Sequence, residues 1–593
     1  MTAPGGHGSL DVKTTLRAVL GAVAAAGLLL PATTAVAVDA ASSVTTTAAR
    51  TGPPASVAVL GDSISAGTGA DGRSFGDSLI PLPGSERPNR SWATGDQYTD
   101  LQSVFQRVRS LRPGQSTTRA NLAVNGSRGS DVAQQVRGAP VDVGLILVQI
   151  GGNDLCRPTV QDMTPVEEYR AQIDATLAWI AEHRPEALVQ VNSVPDIYRL
   201  WELRRTNAVA VTFWSLGLIP CQSLLANPTS QDAADVARRD AVRAHGLAYN
   251  DQLREACARY LRCRYDDDAT WRFSNDPATF VDSDVSSQDH FHPSYRGQVK
   301  LAEVSWLAGF DFADEAVPQV TLATTTAPTS AGWHAAAVDV EVVATDEAGV
   351  AGIESRVHAP DGSVGTWQTS FGDRALVTVE QDGASFVEAR AIDVNGNVSA
   401  SEVHAVSLDR QAPTVTVTGV DDGDEVLLGA EAGFGVACDD DRSGVASCEP
   451  SQADGVLDTT TAGRRTLTVT AVDAAGNRTE ATVGYRVVYD VAVASDRLEG
   501  TGPIEIQRNA MLPVRVSVRD AAGQPVAGVP ASLRLVSAHG TALVAGELTE
   551  GYDGDRYGAQ LPLRRLGVTP GGWTLVADLD DGTTRVLAEL DVR

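Results

Sequence analysis

Val57-Ala-Val-Leu-Gly-Asp-Ser-Ile-Ser65 sets four apolar residues directly before Gly61-Asp62-Ser63. An apolar run of strand length that breaks at Gly-Asp-Ser reads as a buried strand delivering a serine to the edge of a sheet, where open α/β folds keep their chemistry. Ser63 is therefore the candidate nucleophile. Gly-Asp-Ser is also a common turn. The reading depends on whether the rest of the chain supplies a base, a group that orients the base, and donors for an oxyanion.

Outward from that strand, residues 55–312 alternate short β-rich runs with helical spacing. Ala120–Val124, Val143–Ile150 and Ala187–Val194 are the further strands. Leu101–Leu111, Val166–Ile180, Ala233–His245 and Gln252–Leu261 carry the helical pattern between and after them. This alternation predicts a three-layer α/β domain, a parallel sheet with helices on both faces. A closing helix is expected from Pro293 to Ala308, with proline in its first turn.

Past residue 315 the helical period disappears. Runs such as Val338-Asp-Val-Glu-Val-Val-Ala344 and Thr414-Val-Thr-Val-Thr418, separated by Gly/Asp/Asn turns, predict all-β sandwiches. Asp346-Glu-Ala-Gly-Val-Ala-Gly352 is echoed by Asp441-Arg-Ser-Gly-Val-Ala-Ser447, and Ala391-Ile-Asp-Val-Asn-Gly-Asn397 by Ala471-Val-Asp-Ala-Ala-Gly-Asn477. Two related modules are thus expected at 316–409 and 411–487, and a third, without the repeat, at 488–593. At about 150 residues per domain, 593 residues make about four domains, one α/β and three β.

The N-terminus has the parts of an export signal over residues 1–37. Lys13 and Arg17 are basic, Ala18–Leu30 is apolar, and Ala35-Val-Ala37 offers small residues for cleavage. That run is shorter than the roughly 20 residues a bilayer span needs, so no transmembrane anchor is expected. Small polar residues at 38–54, ending in Gly52-Pro-Pro54, read as a linker. A secreted, extracellular protein follows. The six cysteines fit an oxidising compartment, and their spacing pairs Cys257 with Cys263 and Cys438 with Cys448, leaving Cys156 for Cys221. No Cys-x-x-Cys unit or histidine cluster accompanies them, so no metal site is expected. A net charge of −28 argues against a nucleic-acid partner, which requires clustered cations.

A serine hydroxyl needs a base to take its proton, and the base works best when a carboxylate fixes its tautomer. Asp289-His-Phe-His292-Pro supplies both. Asp289 and His292 are three apart, so one turn can set the carboxylate against one ring nitrogen and leave the other for Ser63. His290 is the rival base, without a carboxylate at that spacing. Asn153, in Ile150-Gly-Gly-Asn-Asp154, follows a predicted strand and offers its side-chain amide to an oxyanion. Gly126, in Asn125-Gly126-Ser127, and the Ser63 amide are further candidate donors; Gly129 could replace Gly126.

Taken together, Gly61-Asp62-Ser63, Gly126, Gly151-Gly-Asn153-Asp and Asp289-x-x-His292 resemble the motif blocks of the SGNH hydrolases, the GDSL esterase and lipase family, over residues 55–312. Ile64 stands where the family pattern has leucine. The resemblance implies a serine esterase: Ser63 attacks, His292 is general base, Asp289 orients it, and Ser63, Gly126 and Asn153 hold the oxyanion, with no cofactor or metal. The extended Gly-Gly-Asn-Asp-Leu-Cys156 resembles secreted bacterial lipases and phospholipase-B-like members, implying a lipid acyl ester. The β modules resemble bacterial immunoglobulin-like domains of secreted enzymes, where a polymer or cell-surface contact would lie. An acetyl esterase acting on an acylated carbohydrate is the alternative. An adhesion protein with an inactive hydrolase domain is the second.

Two expectations concern details of the site. The apolar segment Trp201–Ile219, with Trp214 at its centre, reads either as an acyl pocket or lid or as a core helix. Asp62 is expected to brace the turn that presents Ser63.

Overall fold

A computed structural model describes residues 49–72, 86–498, 500, 502–551 and 556–593. The expected export signal, and residues 38–48 of the expected linker, lie outside them. No helix among the described residues is long and apolar enough to cross a membrane.

The α/β region is built on five parallel strands: β1 (Ser56–Gly61), β2 (Thr118–Asn121), β3 (Leu145–Gln149), β4 (Leu188–Val191) and β5 (Cys263–Tyr265), in the order β2-β1-β3-β4-β5. The apolar runs are continuous because both faces of the sheet are covered. Ala58, Leu60, Ile146 and Val148 pack beneath α2 (Gly129–Gln135), α4 (Val166–His183) and α8 (Ala233–Cys257), with α1 (Val104–Ser110) and α3 (Gly152–Leu155) also contributed by this half. Val57, Val59, Leu145 and Leu147 face the other way, onto Val104 and Val108 of α1 and Leu301 and Ala302 near the end of the domain. Between β4 and α8 lie α5 (Ile197–Arg204), α6 (Ala208–Ser215) and α7 (Gln222–Leu225); α9 (Ala269–Asn275) and α10 (Tyr295–Ala308) complete the layer.

The sequence reading is corrected at three points. The helices expected at 233–245 and 252–261 are one, α8. Gly246 sits inside it, where a Cβ would come within 3.2 Å of Leu155 and Trp271, so the glycine marks close packing rather than an end. The closing helix starts at Tyr295, capped by the Ser294 hydroxyl accepting from Gly297 N–H, and Pro293 precedes it. β2 ends at Asn121, and the chain to Val124 follows β1 through Leu122 N–H to Val59 O and Val124 N–H to Gly61 O.

Beyond the α/β region the chain forms antiparallel and mixed sheets. Strands between 319 and 408 make a five-stranded and a three-stranded sheet that share a core including Val342, Ile353, Ala389 and Ala391. Those between 414 and 488 make a two- and a four-stranded sheet around Leu467, Val469 and Tyr485, and those between 490 and 592 a four- and a five-stranded sheet around Leu512, Leu533 and Leu575. The repeated Asp-x-x-Gly-Asn turns have one geometry. Asn397 N–H and side-chain amide donate to Asp393, and Asn477 repeats both bonds to Asp473. Three disulfides, Cys156–Cys221, Cys257–Cys263 and Cys438–Cys448, cross-link the chain.

The first β region packs against the N-terminal ends of β4 and β5. Arg262, just before β5, pairs with Glu354; Arg390 donates to Glu354 at 2.7 Å and to Glu186 at 3.0 Å. Gly396 and Gly352 lie so close to Leu188 and Leu261 that a Cβ on either would fall within 2.5 Å of the leucine. A cavity of about 420 Å³, edged by Tyr260, Trp367 and Arg390, remains between the two.

Candidate active site

In a parallel sheet of this order the strand connections reverse between β1 and β3, leaving a crevice at their carboxyl ends. Ser63 follows β1 and Asn153 follows β3, so both reach that crevice. Gly61 is fixed on both sides by Gln135, whose Oε1 accepts from Gly61 N–H and whose Nε2 donates to Gly61 O, each at 2.8 Å. The chain then turns tightly. Ala66 N–H donates to Asp62 O, Thr68 N–H to Ser63 O, and Ile64 N–H to Asp62 Oδ1, all at 2.9 Å. Asp62 thus braces the turn. Burial pushes its carboxyl up to about 6, against the downward pull of the Ile64 hydrogen bond.

Ser63 Oγ lies 2.8 Å from His292 Nε2, and His292 Nδ1 lies 2.7 Å from Asp289 Oδ2. A carboxylate only accepts, so Nδ1 carries the proton and Nε2 is left to accept from the serine hydroxyl. Asp289 Oδ1 accepts the N–H groups of Phe291 and His292 at 3.0 Å. Burial alone would raise this carboxyl, but His292 beside it and these hydrogen bonds hold it below the usual carboxylate range. His290, the rival base, has a left-handed backbone (φ 56°) and turns toward Arg204 and the edge of Phe213. Burial and then Arg204 lower its pKa.

The oxyanion candidates divide. Asn153 lines the cavity of about 40 Å³ that holds Ser63 and His292, and its Nδ2 donates to Ser127 O at 2.9 Å, leaving its second amide hydrogen. Gly126, at φ +78°, does not line that cavity, although Thr68 ties its neighbour Asn125 to the Ser63 turn. Gly129 N–H is committed to Asp154 Oδ2 at 3.0 Å, which removes it as a donor.

Two residues absent from the sequence reading support the His292 loop. Gly69, at φ +72°, lies where a Cβ would meet His292 Cβ at 2.7 Å and Asp289 Oδ2 at 3.3 Å. Asp71 accepts from Ser287 N–H and hydroxyl at 3.1 and 2.7 Å, fastening the loop that carries Asp289. The repeated glycine in Gly67-Thr-Gly69, just past the serine turn, is the signal that could have found the first; Asp71 has none. The segment Trp201–Ile219 resolves toward core. Trp201, Trp214 and Ile219 belong to the main hydrophobic cluster, while Ile197 and Leu200, just upstream, line the cavity beside Ser63. Val209, Leu216 and Leu218 are exposed.

Among the described residues two carboxylate triads have the spacing to hold a cation, Asp314/Asp346/Asp393 and Asp409/Asp440/Asp473, neither of them on the Ser63 cavity. The second uses Asp440 rather than the Asp441 that the repeat aligns with Asp346.

Residues 57–304 match the family model described as GDSL-like Lipase/Acylhydrolase. The α/β domain is a GDSL-type ester hydrolase. No curated protein matches the sequence. Among solved structures, a candidate acylhydrolase of Bacteroides fragilis is 10% identical, with a TM-score of 0.24, over 43% of this chain and 86% of that one. A carbohydrate esterase family 2 enzyme with its carbohydrate-binding domain, from Corynascus thermopiles (Myceliophthora fergusii), is 15% identical at a TM-score of 0.26, over 44% and 68%. Fibronectin(III)-like modules of Clostridium thermocellum CbhA are 17% identical at 0.18, over 28% and 94%. At these TM-scores none of the three bears on what the GDSL-type hydrolase acts on.

Proposed function

We propose that this GDSL-type hydrolase is an exported serine esterase that cleaves short-chain carboxylic esters through an acyl-enzyme. The observation that carries the reading is the unbroken chain of contacts Ser63 Oγ, His292 Nε2, His292 Nδ1, Asp289 Oδ2. His292 takes the Ser63 proton as the hydroxyl attacks the ester carbonyl, and the carboxylate stabilises the imidazolium that forms. The oxyanion is held by the Asn153 amide and the Ser63 N–H, with Gly126 as the third donor once an acyl group is seated. His292 returns the proton to the leaving alcohol. Water, activated by the same ring, then attacks the acyl-Ser63 ester and releases the acid.

Short acyl groups are favoured by size. The cavity at Ser63 and the one adjoining it measure about 40 and 60 Å³, which supports a short acyl chain over the long lipid chain expected from Gly-Gly-Asn-Asp-Leu-Cys156. Acetylated carbohydrate remains within that limit. The three disulfides support export to an oxidising compartment. The β modules are read as immunoglobulin-like units that space the hydrolase or attach it to a polymer or cell surface.

A fluorophosphonate probe should label the wild type at Ser63 and leave Ser63→Ala unlabelled. Ser63→Ala should also lose about 10⁴-fold or more in kcat on an acetate ester. Labelling that persists in the variant would remove Ser63 as nucleophile.

A further inference from the structure

Beside the Ser63 cavity lies a second, of about 60 Å³, with which it shares Ile64, Ile197, Leu200, Phe291 and Pro293 as a common wall. The pocket is lined mainly by hydrocarbon, including Phe273, Phe280 and Leu301. Two polar residues on its wall are already engaged: the Asp196 carboxylate pairs with Arg243 at 2.9 Å, and the Ser274 hydroxyl accepts from Asp196 N–H and donates to Thr270 O.

Thr270 on the same wall has a hydroxyl unpartnered among the described residues, and the fuller case is Gln149. It ends β3, is 2% exposed, and lines this pocket, yet neither its Oε1 nor its Nε2 has a hydrogen-bond partner among the described residues. A buried carboxamide with both ends unpaired is costly, and nothing in the proposed mechanism uses it. Its counterparts on the same face of the next strand are satisfied: Gln190 and Asn192 both bond Ser305. In register Gln149 stands opposite Gly61, two residues before Ser63.

We propose that Gln149 is a specificity determinant that selects acyl groups bearing a hydroxyl, so that the preferred substrates are esters of short hydroxy acids. The inference rests on Ser63 being the nucleophile. A hydroxyl answers both ends of the amide: it donates to Oε1 and accepts from Nε2–H. An acyl chain that reaches from Ser63 into the adjoining pocket meets Gln149 on its lining, and a hydroxyl a few bonds from the carbonyl, as at the 3-position, is the group that would pair with it. A site built to pair a substrate hydroxyl discriminates strongly against the analogue that lacks it, because its own polar group is then left unpaired.

The test compares 4-nitrophenyl butyrate with each enantiomer of 4-nitrophenyl 3-hydroxybutyrate on the full-length protein. With one enantiomer, wild-type kcat/KM should exceed that for butyrate by at least about tenfold, and in Gln149→Leu this ratio should fall toward one. Equal rates on butyrate and both hydroxy esters in the wild type would overturn the inference, whether or not the variant folds. So would a ratio unchanged in a folded Gln149→Leu. Either failure leaves the nucleophile standing if Ser63→Ala loses turnover of every ester, whereas hydroxybutyrate turnover that survives Ser63→Ala would sink the serine mechanism itself.

Discussion

Replacing Asp62 with asparagine should stabilise the α/β domain at neutral pH and do almost nothing for it near pH 4. Asp62 is 2% exposed, and burial lifts its carboxyl from an ordinary 3.8 to about 6. A carboxyl raised in the folded state binds its proton more tightly there than in the unfolded chain. Folding is therefore penalised in full above pH 6, where Asp62 is ionised in both states, and the penalty fades as pH falls through the window from 6 to 3.8. A shift of about two units at 1.36 kcal/mol each corresponds to about 3 kcal/mol at pH 7.5 and under about 1 kcal/mol at pH 4. Asparagine keeps an oxygen for the Ile64 N–H but carries no charge to bury. Urea unfolding at both pH values, followed by the fluorescence of the α/β tryptophans such as Trp92 and Trp271, reads the difference directly. An equal gain at the two pH values would assign it to packing and refute the electrostatic reasoning. A loss at pH 7.5 would mean that the turn needs the carboxylate.

Three other substitutions probe the site and its support. Gly69→Ala should lower kcat about 100-fold on any ester, because the new Cβ displaces His292 by a sizeable fraction of an ångström and near-attack geometry tolerates little; wild-type kcat would show that the ring adjusts freely. Asn153→Ala should cost about 10²–10³ in kcat with little change in KM if its amide meets the oxyanion, and an unchanged kcat would take it out of the site. Glu354→Gln leaves Arg262 and Arg390 buried without their shared carboxylate and should destabilise the protein by about 3 kcal/mol, seen as a lowered calorimetric transition; an unaltered transition would mean that Glu186 suffices for both.

The fold was legible where burial writes itself into the sequence. β1, β3 and β4 are covered on both faces, so their apolar runs stand out, whereas β5 is three residues at the sheet edge, Cys263-Arg-Tyr265, and carries no such pattern. An apolar helix reads alike whether it faces a core or a cavity. That is why Trp201 and Trp214 were ambiguous, and why Ile197 and Leu200, two ordinary residues just before them, were passed over. Ser63, Asp289 and His292 could be proposed from chemistry and spacing because Gly-Asp-Ser after an apolar strand and Asp-x-x-His together supply a nucleophile, a base and a carboxylate, whose roles are demanding. Gly69 and Asp71 act only by closeness across the fold, and a single sequence does not record which backbone must lie against His292. The choice between Gly126 and Gly129 likewise waited on Asp154, whose carboxylate occupies the Gly129 N–H.

The docking of the first β module on the N-terminal ends of β4 and β5 also fixes a direction. Ser63 opens at the carboxyl ends of the same strands, so anything that grips the modules grips the chain from behind the catalytic mouth. A protein held by its C-terminal half would face its crevice away from that attachment, toward esters arriving from the surrounding fluid. If the β modules attach the chain to a polymer, that polymer need not be the material the hydrolase cleaves.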